Sequence, residues 1–357
     1  MTEEQLHSID ALIRANGRFA LWRVPGDSSF RFMRQLSSRP VCYEHIEQLN
    51  GARGFVIAPF SASAAQPIVL ILPECETIGT DVPCLSPTKK GNEPLPCAPK
   101  ERYEADFACC IEALQCGALQ KVVLSRQKLE ALPADFSPAS AFLEAMARYP
   151  YSYVYLCHTP ETGTWMGSSP ERLLSGLRTH WQTVSLAATL PQQGDCARTW
   201  SDSHKTEQQL VTDYIHQQLD SFGASRVQAE APCTVQAANL IHLRSNFSFE
   251  LPNSARLGSL LFHLHPTPAV SGLPKADAFS FLLQHEANER GYYAGFMGYL
   301  DPEAQTDVYV NLRCMKLHET HAILYAGGGL LPSSVLEEEW KETEDKMKTM
   351  QSLIIHH

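Results

Sequence analysis

One carboxylate lies where a helix face should be apolar. Glu207 falls within residues 201–219, which have the apolar periodicity of a helix. It precedes Val211 by four residues and Tyr214 by seven, so it shares their inward face. A carboxylate buried on that face must be paired or bind a metal. The alternative is that Glu207 lies at the edge of the face and reaches water.

Further acidic residues are concentrated in the last predicted helix, residues 334–354. Glu339, Glu342 and Lys346 have i, i+3, i+7 spacing and share one face. That face is solvated in one interpretation, because acidic residues favour a helix N-terminus and Glu342 and Lys346 form a stabilising pair. In the other, Glu207 and Glu342 hold one Mg²⁺ from two helices and leave positions for water and substrate oxygens.

Three consecutive glycines, Gly327, Gly328 and Gly329, stand between a predicted strand and this helix. Glycine allows close approach of the backbone, and backbone N–H groups near the start of a helix suit an anion. A plain structural turn is the alternative interpretation. The basic residues placed near these elements are Lys121, Arg313 and Lys346.

Strands and long helices in mixed order must position these groups. Helices are predicted at residues 5–15, 103–117, 201–219 and 334–354. Strands are predicted at residues 54–58, 68–72, 121–125, 151–157, 292–300, 308–317 and 322–326. Consecutive strands with helices grouped between them favour an α+β fold over strict βαβ alternation.

A stretch rich in Pro, Lys and Gly at residues 84–100 is predicted to be an exposed loop. It separates an N-terminal part of the fold without a motif, residues 1–100, from a catalytic region, residues 101–357. We expect the two parts to form one continuous domain.

Composition restricts the kind of partner. With a formal net charge of −10 and no cluster of Lys or Arg, the chain is a poor candidate for binding nucleic acid or an anionic membrane. The longest apolar run, residues 68–72, is too short to cross a bilayer, and the start lacks the features of a secretory signal. No G-x-G-x-x-G or Walker A loop indicates a nucleotide cofactor.

The cysteines indicate a cytoplasmic protein. There are eleven, scattered from Cys42 to Cys314, and no C-x-x-C pair, so a zinc site of the usual spacing is not expected. We expect reduced and mostly packed thiols. The adjacent Cys109 and Cys110 should lie partly in a helix core.

Short segments along the chain carry a family resemblance. Besides the helix of Glu207, they are KVVLSR (121–126), GSSPERLL (167–174), NLIHLRSNF (239–247), HPTPAVSGLP (265–274), ERGYYAGFMGY (289–299), VNLRCMKL (310–317), AGGGLLPSS (326–334) and EEWKETEDK (338–346). In this order they resemble the chorismate-utilising enzymes, which include isochorismate, anthranilate, aminodeoxychorismate and salicylate synthases. The resemblance implies a large α+β domain of two packed antiparallel β-sheets flanked by helices.

The resemblance also implies a ligand set. Mg²⁺ would be held by Glu207 and Glu342 and would bridge to the ring carboxylate of chorismate. The substrate's carboxylates would meet Tyr293, Arg313, Lys346 and Gly327, Gly328 and Gly329. Arginine is suited to a bidentate grip on a carboxylate. Thr189 and His242 match positions that line the pocket.

Three matched positions concern the reaction itself. Lys121 matches the general base that activates water, where ammonia-adding members carry Gln. Ala269 matches the small residue of isochorismate synthases, where ammonia-using members have Thr. Glu171 matches the general acid. As water attacks C2 of the ring and the C4 hydroxyl leaves, Lys121 must accept a proton and Glu171 must donate one.

The expected activity is therefore a Mg²⁺-dependent, reversible isomerisation of chorismate to isochorismate. Alternatives are a salicylate synthase, which would also eliminate pyruvate, and a non-catalytic sensor that binds chorismate. An anthranilate-type synthase is opposed by Lys121 and Ala269. We expect a monomer without a glutaminase subunit, whose product serves menaquinone or siderophore biosynthesis.

Two departures from the family pattern concern the site. The family's Ala-Gly-Thr or Ala-Gly-Ser turn is Ala187-Ala188-Thr189 here, and the added methyl is expected to tighten the pocket. His204 stands where many members have an acidic residue, three residues before Glu207.

Overall fold

A computed structural model describes residues 3–79, 100–191, 200–237 and 240–355 of the chain. The predicted exposed loop at residues 84–100 lies outside the described residues except for Lys100, which begins a helix. Asn239, the first residue of the segment at 239–247, also lies outside them.

Seven helices and nineteen strands are formed by the described residues. The helices are α1 (Glu3–Arg14), α2 (Lys100–Gln115), α3 (Pro138–Arg148), α4 (Asp202–Phe222), α5 (Leu257–Leu264), α6 (Lys275–His285) and α7 (Leu336–Gln351). The first ten strands are β1 (Arg18–Arg23), β2 (Phe30–Gln35), β3 (Val41–Tyr43), β4 (Gly54–Ala58), β5 (Ile68–Ile71), β6 (Cys75–Gly79), β7 (Lys121–Ala131), β8 (Tyr153–Thr159), β9 (Gly163–Ser169) and β10 (Arg172–Leu177). The others are β11 (His180–Pro191), β12 (Ser225–Ala229), β13 (Cys233–Ala237), β14 (Leu240–Glu250), β15 (Gly272–Leu273), β16 (Phe296–Leu300), β17 (Thr306–Val310), β18 (Cys314–Leu317) and β19 (His321–Leu330).

The strands form two antiparallel sheets. Sheet A has the order β15-β7-β19-β18-β9-β8-β1-β2-β6, and sheet B has the order β12-β14-β11-β10-β17-β16-β4-β5-β3, with β13 also paired to β14. The sheets pack face to face, with the ring of Tyr153 on sheet A stacked 4.3 Å from that of Tyr309 on sheet B. The predicted α+β fold of two packed antiparallel sheets flanked by helices is confirmed.

Strands from the first 79 residues complete both sheets. In sheet A, β1 pairs with β8, and in sheet B, β4 pairs with β16. Within the described residues, no helix is long and apolar enough to cross a membrane. The division of the chain at residue 100 stays a prediction.

Two helices deliver the acidic residues to one region. Helix α4 packs on β11 and buries Val211 and Ile215, and α7 packs on β19 and buries Met347 and Met350. The polar residues of both helices therefore lie near each other at one side of the sheets, where they line a common cavity.

The three glycines were predicted to lie between a strand and the last helix, and this prediction was wrong. They belong to β19 and pair with β7, with Gly327 opposite Ser125 and Gly329 opposite Val123. Helix α7 begins only at Leu336. A run of glycines in a sequence usually indicates a turn. Here the glycines lie on a regular strand, where the absence of side chains leaves room for neighbouring residues.

One predicted strand is two strands. The run at residues 308–317 is interrupted between β17 and β18, where Arg313 has the left-handed φ of 47°. Because of the interruption, Arg313 does not belong to either strand. Its side chain is therefore not part of the regular packing of the sheet.

The prediction of mostly packed thiols was wrong for the described cysteines. Five of the eight are exposed: Cys42, Cys75, Cys109, Cys116 and Cys233. Edge strands explain two of these, because β3 and β6 end the described sheets and carry Cys42 and Cys75. Cys110 is buried beside the exposed Cys109, as expected for a pair partly in a helix core.

A buried ion pair ties the strand of Lys121 to its surroundings. Glu286 and Arg290, each side chain 3% exposed, form a pair with a distance of 2.5 Å between Arg290 Nε and Glu286 Oε2. Glu286 also accepts the backbone N–H of Ser125, and Arg290 donates to the carbonyl oxygens of Val123 and Val270. The pair therefore joins β7 to the segment that contains Ala269.

We expect Arg290→Met to destabilise the fold by about 3–5 kcal/mol, because it leaves the Glu286 carboxylate buried without its partner. Chemical denaturation measures the change in the free energy of unfolding. Arg226→Met is the control, since the Arg226 side chain is 77% exposed and its pair with Glu250 should contribute little. Equal free energies of unfolding for Arg290→Met and Arg226→Met would contradict a stabilising role of the buried pair of Glu286 and Arg290.

Candidate active site

A cavity of about 930 Å³, part of it open to solvent, lies where α4 and α7 approach β11, β14 and β19. Its walls bring together residues from Val123 to Lys346 in the sequence. The predicted site residues that line it are Glu171, Thr189, Glu207, His242, Ala269, Tyr293, Arg313, Gly327, Gly329, Glu342 and Lys346. The predicted residues Lys121 and Gly328 do not line it.

Lys121 lies directly behind the wall. Its side chain is 1% exposed, and its Nζ forms an ion pair of 2.9 Å with Glu207 Oε1. A Cβ atom on Gly329 would lie 2.7 Å from Glu207 Oε1 and 3.1 Å from Lys121 Cε. Glycine at 329 therefore leaves room for this pair in its present position at the cavity.

The other two glycines clear space in the same way. A Cβ atom on Gly327 would lie 2.8 Å from Tyr293 Oη, and one on Gly328 would lie 2.8 Å from Glu339 Oε2. Each distance is shorter than a normal contact. The glycine run thus leaves room on β19 for polar side chains from three other elements. They are Glu207 of α4, Glu339 of α7 and Tyr293 of the turn before β16.

Glu171 is a buried carboxyl group, 2% exposed. Its Oε1 accepts a hydrogen bond of 3.1 Å from the hydroxyl of Thr267. Burial raises the pKa of Glu171 to about 7, although the Thr267 hydrogen bond and the charges of Lys121 and Lys346 act to lower it. The group can therefore be protonated near neutral pH, as a general acid must be.

Arg313 and His242 form a second polar pair, with 2.9 Å between Arg313 Nη2 and His242 Nε2. Because a guanidinium only donates, Nε2 accepts, and His242 Nδ1–H donates to the Ala188 carbonyl at 3.1 Å. Burial and then the charge of Arg313 lower the pKa of His242 well below its usual value. A neutral His242 thus holds Arg313 in place.

Arg313 Nη1 is buried and has no hydrogen-bond partner among the described residues. A buried guanidinium nitrogen without a partner is costly unless a ligand satisfies it. Lys346 provides a second cation in the same wall, with its Nζ 2.8 Å from the Gly327 carbonyl and 2.5 Å from Glu342 Oε1. The cavity therefore suits an anionic ligand.

Glu339 joins the site although the sequence analysis gave it no role there. Its Oε1 accepts from Ser334 Oγ at 2.8 Å, while Oε2 is buried without a partner among the described residues. Burial first, and then the Glu342 and Glu207 carboxylates, raise the pKa of Glu339 to about 8. Its i, i+3 spacing to Glu342 was the available signal, but only the fold shows that this face meets Glu207.

The concentrated negative charge and the unsatisfied Glu339 oxygen fit a divalent cation. Within the described residues, no three His, Cys, Asp or Glu side chains already form a metal cage. Glu207 and Glu342 are instead paired with Lys121 and Lys346. An incomplete set of oxygen ligands suits Mg²⁺, which commonly retains several waters.

Part of the backbone strain lies around this cavity. Six described non-glycine residues have left-handed φ, and three of them line the cavity or adjoin a residue that does: Ala188 at 55°, Ala294 at 60° and Arg313 at 47°. Ala188 sits at an irregularity in the pairing of β11 with β14, where its carbonyl meets His242. Strained conformations of this kind are typical of functional sites.

Comparison with known proteins agrees with the geometry. A family model for chorismate binding enzymes matches residues 84–355. The salicylate biosynthesis isochorismate synthase of Pseudomonas aeruginosa is 30% identical over 263 residues, 71% of this chain and 55% of that protein. Isochorismate synthase EntC of Escherichia coli strain K12 is 30% identical over 242 residues, 65% of this chain and 61% of that protein.

The fold is also found in a solved structure. MenF, the menaquinone-specific isochorismate synthase from Escherichia coli, superposes with a TM-score of 0.80 at 20% identity, covering 98% of this chain and 91% of that one. The chain spans less than two thirds of the length of the two curated relatives. Because the family model covers most of the chain, including every predicted site residue, the chain belongs to the family of chorismate binding enzymes.

Proposed function

We propose that this chain is an isochorismate synthase that converts chorismate to isochorismate reversibly and with Mg²⁺. The observation that carries the proposal is that the buried, protonatable Glu171 lines the cavity and that the amine of Lys121 lies at it behind Gly329. The two related proteins named above by sequence are both isochorismate synthases, which supports the same reaction.

Chorismate carries two carboxylates, and the cavity offers groups to meet them. The described residues leave Arg313 Nη1 without a hydrogen-bond acceptor, and Lys346 is a cation that also lines the cavity. The hydroxyl of Tyr293 lies over Gly327. We assign these three residues to the substrate's carboxylates because cationic donors bind such groups strongly and the neutral hydroxyl of Tyr293 can add a further hydrogen bond.

Glu207 and Glu342 would hold Mg²⁺, with Glu339 beside them. When bound, the ion would neutralise the ring carboxylate of chorismate and fix its orientation. The ion pairs of the two carboxylates with Lys121 and Lys346 show that each already stabilises a positive charge at this place.

The proton transfers fall to Lys121 and Glu171. Glu171 donates to the C4 hydroxyl as it leaves, which its pKa of about 7 permits near neutral pH. Lys121 accepts the proton of the water that attacks C2. To accept this proton, Lys121 must be a neutral amine.

Incubation with chorismate and Mg²⁺, followed by chromatography of the products, tests the proposal. Isochorismate as the accumulating product supports it. Salicylate with pyruvate would assign the chain to the salicylate synthases instead. Binding of chorismate without turnover would indicate a sensor.

We expect Glu342→Gln to lose most turnover while the fold survives, because a neutral amide is a poorer ligand for Mg²⁺ than a carboxylate. Turnover with Mg²⁺ and with excess chelator is the measurement. Glu338→Gln is the matched control, since Glu338 is exposed on the same helix. Full activity of the wild type in chelator would contradict the metal requirement.

A further inference from the structure

The part of α7 that lines the cavity is weakly anchored by apolar packing. This site segment, residues 336–346, precedes Met347 and Met350, the buried apolar side chains of the helix. Within the segment, Leu336 and Trp340 are only partly buried against the core. Contacts other than a buried apolar side chain must therefore fix the orientation of the segment.

Arg126 of β7 makes such contacts, with a side chain that is 2% exposed. Its Nε donates to Thr343 Oγ1 at 2.6 Å, its Nη2 pairs with Glu344, and its Cζ lies 3.7 Å from the centroid of the Trp340 ring. These three residues of α7 are spaced i, i+3 and i+4, so they form one patch of the helix surface. A guanidinium can hold such a patch because it is planar, forms several hydrogen bonds and stacks on aromatic rings.

The patch is also held from a second direction. The ring of Tyr103 on α2 meets that of Trp340 edge to face, with 5.3 Å between centroids. Within the helix, the hydroxyl of Thr343 donates to the Trp340 carbonyl at 2.7 Å. Consecutive residues of a helix are about 100° apart around its axis. Glu339 and Glu342 each directly precede a residue of the patch, so holding the patch also sets the direction of both carboxylates.

We propose that Arg126 is a positioning residue, which sets the rotation of the site segment so that Glu342 and Lys346 face the cavity. Both of these residues line the cavity, whereas Arg126 does not. It therefore acts through the helix and not by contact with the substrate. The proposal rests on the proposed function, because Lys346 is assigned there to a carboxylate of the substrate.

Chorismate binding to the full chain tests the proposal, measured by calorimetry in the Glu171→Gln background, where turnover is slow. Arg126→Met should raise the dissociation constant about 10-fold, the usual effect of losing one hydrogen bond to a charged group. This rise should be at least ~3-fold smaller when Lys346→Met is already present, because the contact that Arg126 positions is then gone. Should Arg126→Met not fold, Arg126→Lys replaces it, since lysine keeps the charge but lacks the planar fork.

Arg23→Met is the matched control. Arg23 is also 2% exposed and lies on a strand of the same sheet, but it donates to the backbone carbonyls of Tyr149 and Pro150, which belong to neither α7 nor the cavity wall. Loss of this buried guanidinium should destabilise the fold without raising the dissociation constant. A rise as large as that in Arg126→Met would overturn the proposal, because loss of stability would then account for both.

Equal rises with and without Lys346→Met, or no rise in Arg126→Met, would also overturn the proposal. Product analysis of the wild type tests the proposed function separately. Isochorismate as the product, together with equal rises, would reject only the role of Arg126. Another product, together with the smaller rise after Lys346→Met, would reject the proposed function and support the role of Arg126.

Discussion

Lys121→Gln should lower kcat for conversion of chorismate by ~10²–10⁴, the usual cost of removing a general base. Glutamine cannot take the proton of the attacking water. Substrate binding should be largely retained, because Arg313 and Lys346, which are assigned to the substrate's carboxylates, are unchanged. Steady-state kinetics give kcat, and calorimetry with chorismate gives the dissociation constant.

Lys128→Gln is the control for this variant. Lys128 lies on the same strand, β7, and loses the same charge, but it faces Glu130 and Glu344 rather than Glu207. It should keep the wild-type rate. A wild-type rate at neutral pH in Lys121→Gln would show that another residue is the base.

Glu171→Gln should slow the reaction in both directions by similar factors. Exchange of the hydroxyl between C4 and C2 is nearly symmetric, so the residues swap roles in reverse: Glu171 activates the water and protonated Lys121 assists departure of the C2 hydroxyl. The equilibrium constant belongs to the reactants, so the enzyme cannot slow one direction alone. Glutamine still forms hydrogen bonds but transfers no proton, so binding should survive better than turnover.

The measurement is kcat/KM from chorismate and from isochorismate. Glu130→Gln is the control, because Glu130 is also a buried carboxyl group, 5% exposed, but does not line the cavity. Near wild-type rates in either direction for Glu171→Gln would remove Glu171 from the mechanism. Its role would then be limited to packing and its contact with Thr267.

The same residue predicts a pH dependence. The acid form of Glu171 prevails below its raised pKa of about 7 and is lost as the pH rises through that value. The ratio of the forward rate of the wild type to that of Glu171→Gln, in which the ionisation of Lys121 cancels, should therefore fall as the pH rises above about 7, by tenfold per unit once Glu171 is ionised.

The family motifs were recognised from the sequence because the chemistry requires particular residue types in particular segments. Glu171, Glu207 and Glu342 belong to three such segments, and all three line the cavity. The α+β class followed from the order of the strands and helices. Periodicity also placed Glu339, Glu342 and Lys346 on one helix face, and all three line that cavity.

Other features required the fold. Lys121 and Glu207 are far apart in the sequence, and no local pattern shows that they form an ion pair at 2.9 Å. The glycine run was placed between a strand and the last helix because a strand and a turn both accept glycine. Only the residues that surround it in the fold show which side chains occupy the space beside the glycines.

The sequence by itself determined which residues could transfer protons, bind an anion or hold a metal, because these abilities belong to single side chains. The tertiary structure decided how they act together. It buried Glu171 and so raised its pKa, left Arg313 Nη1 without a partner among the described residues, and brought Glu339 to the other carboxylates. Burial and charge coupling depend on groups distant in sequence, so these properties arise only when two sheets and two helices pack around one cavity.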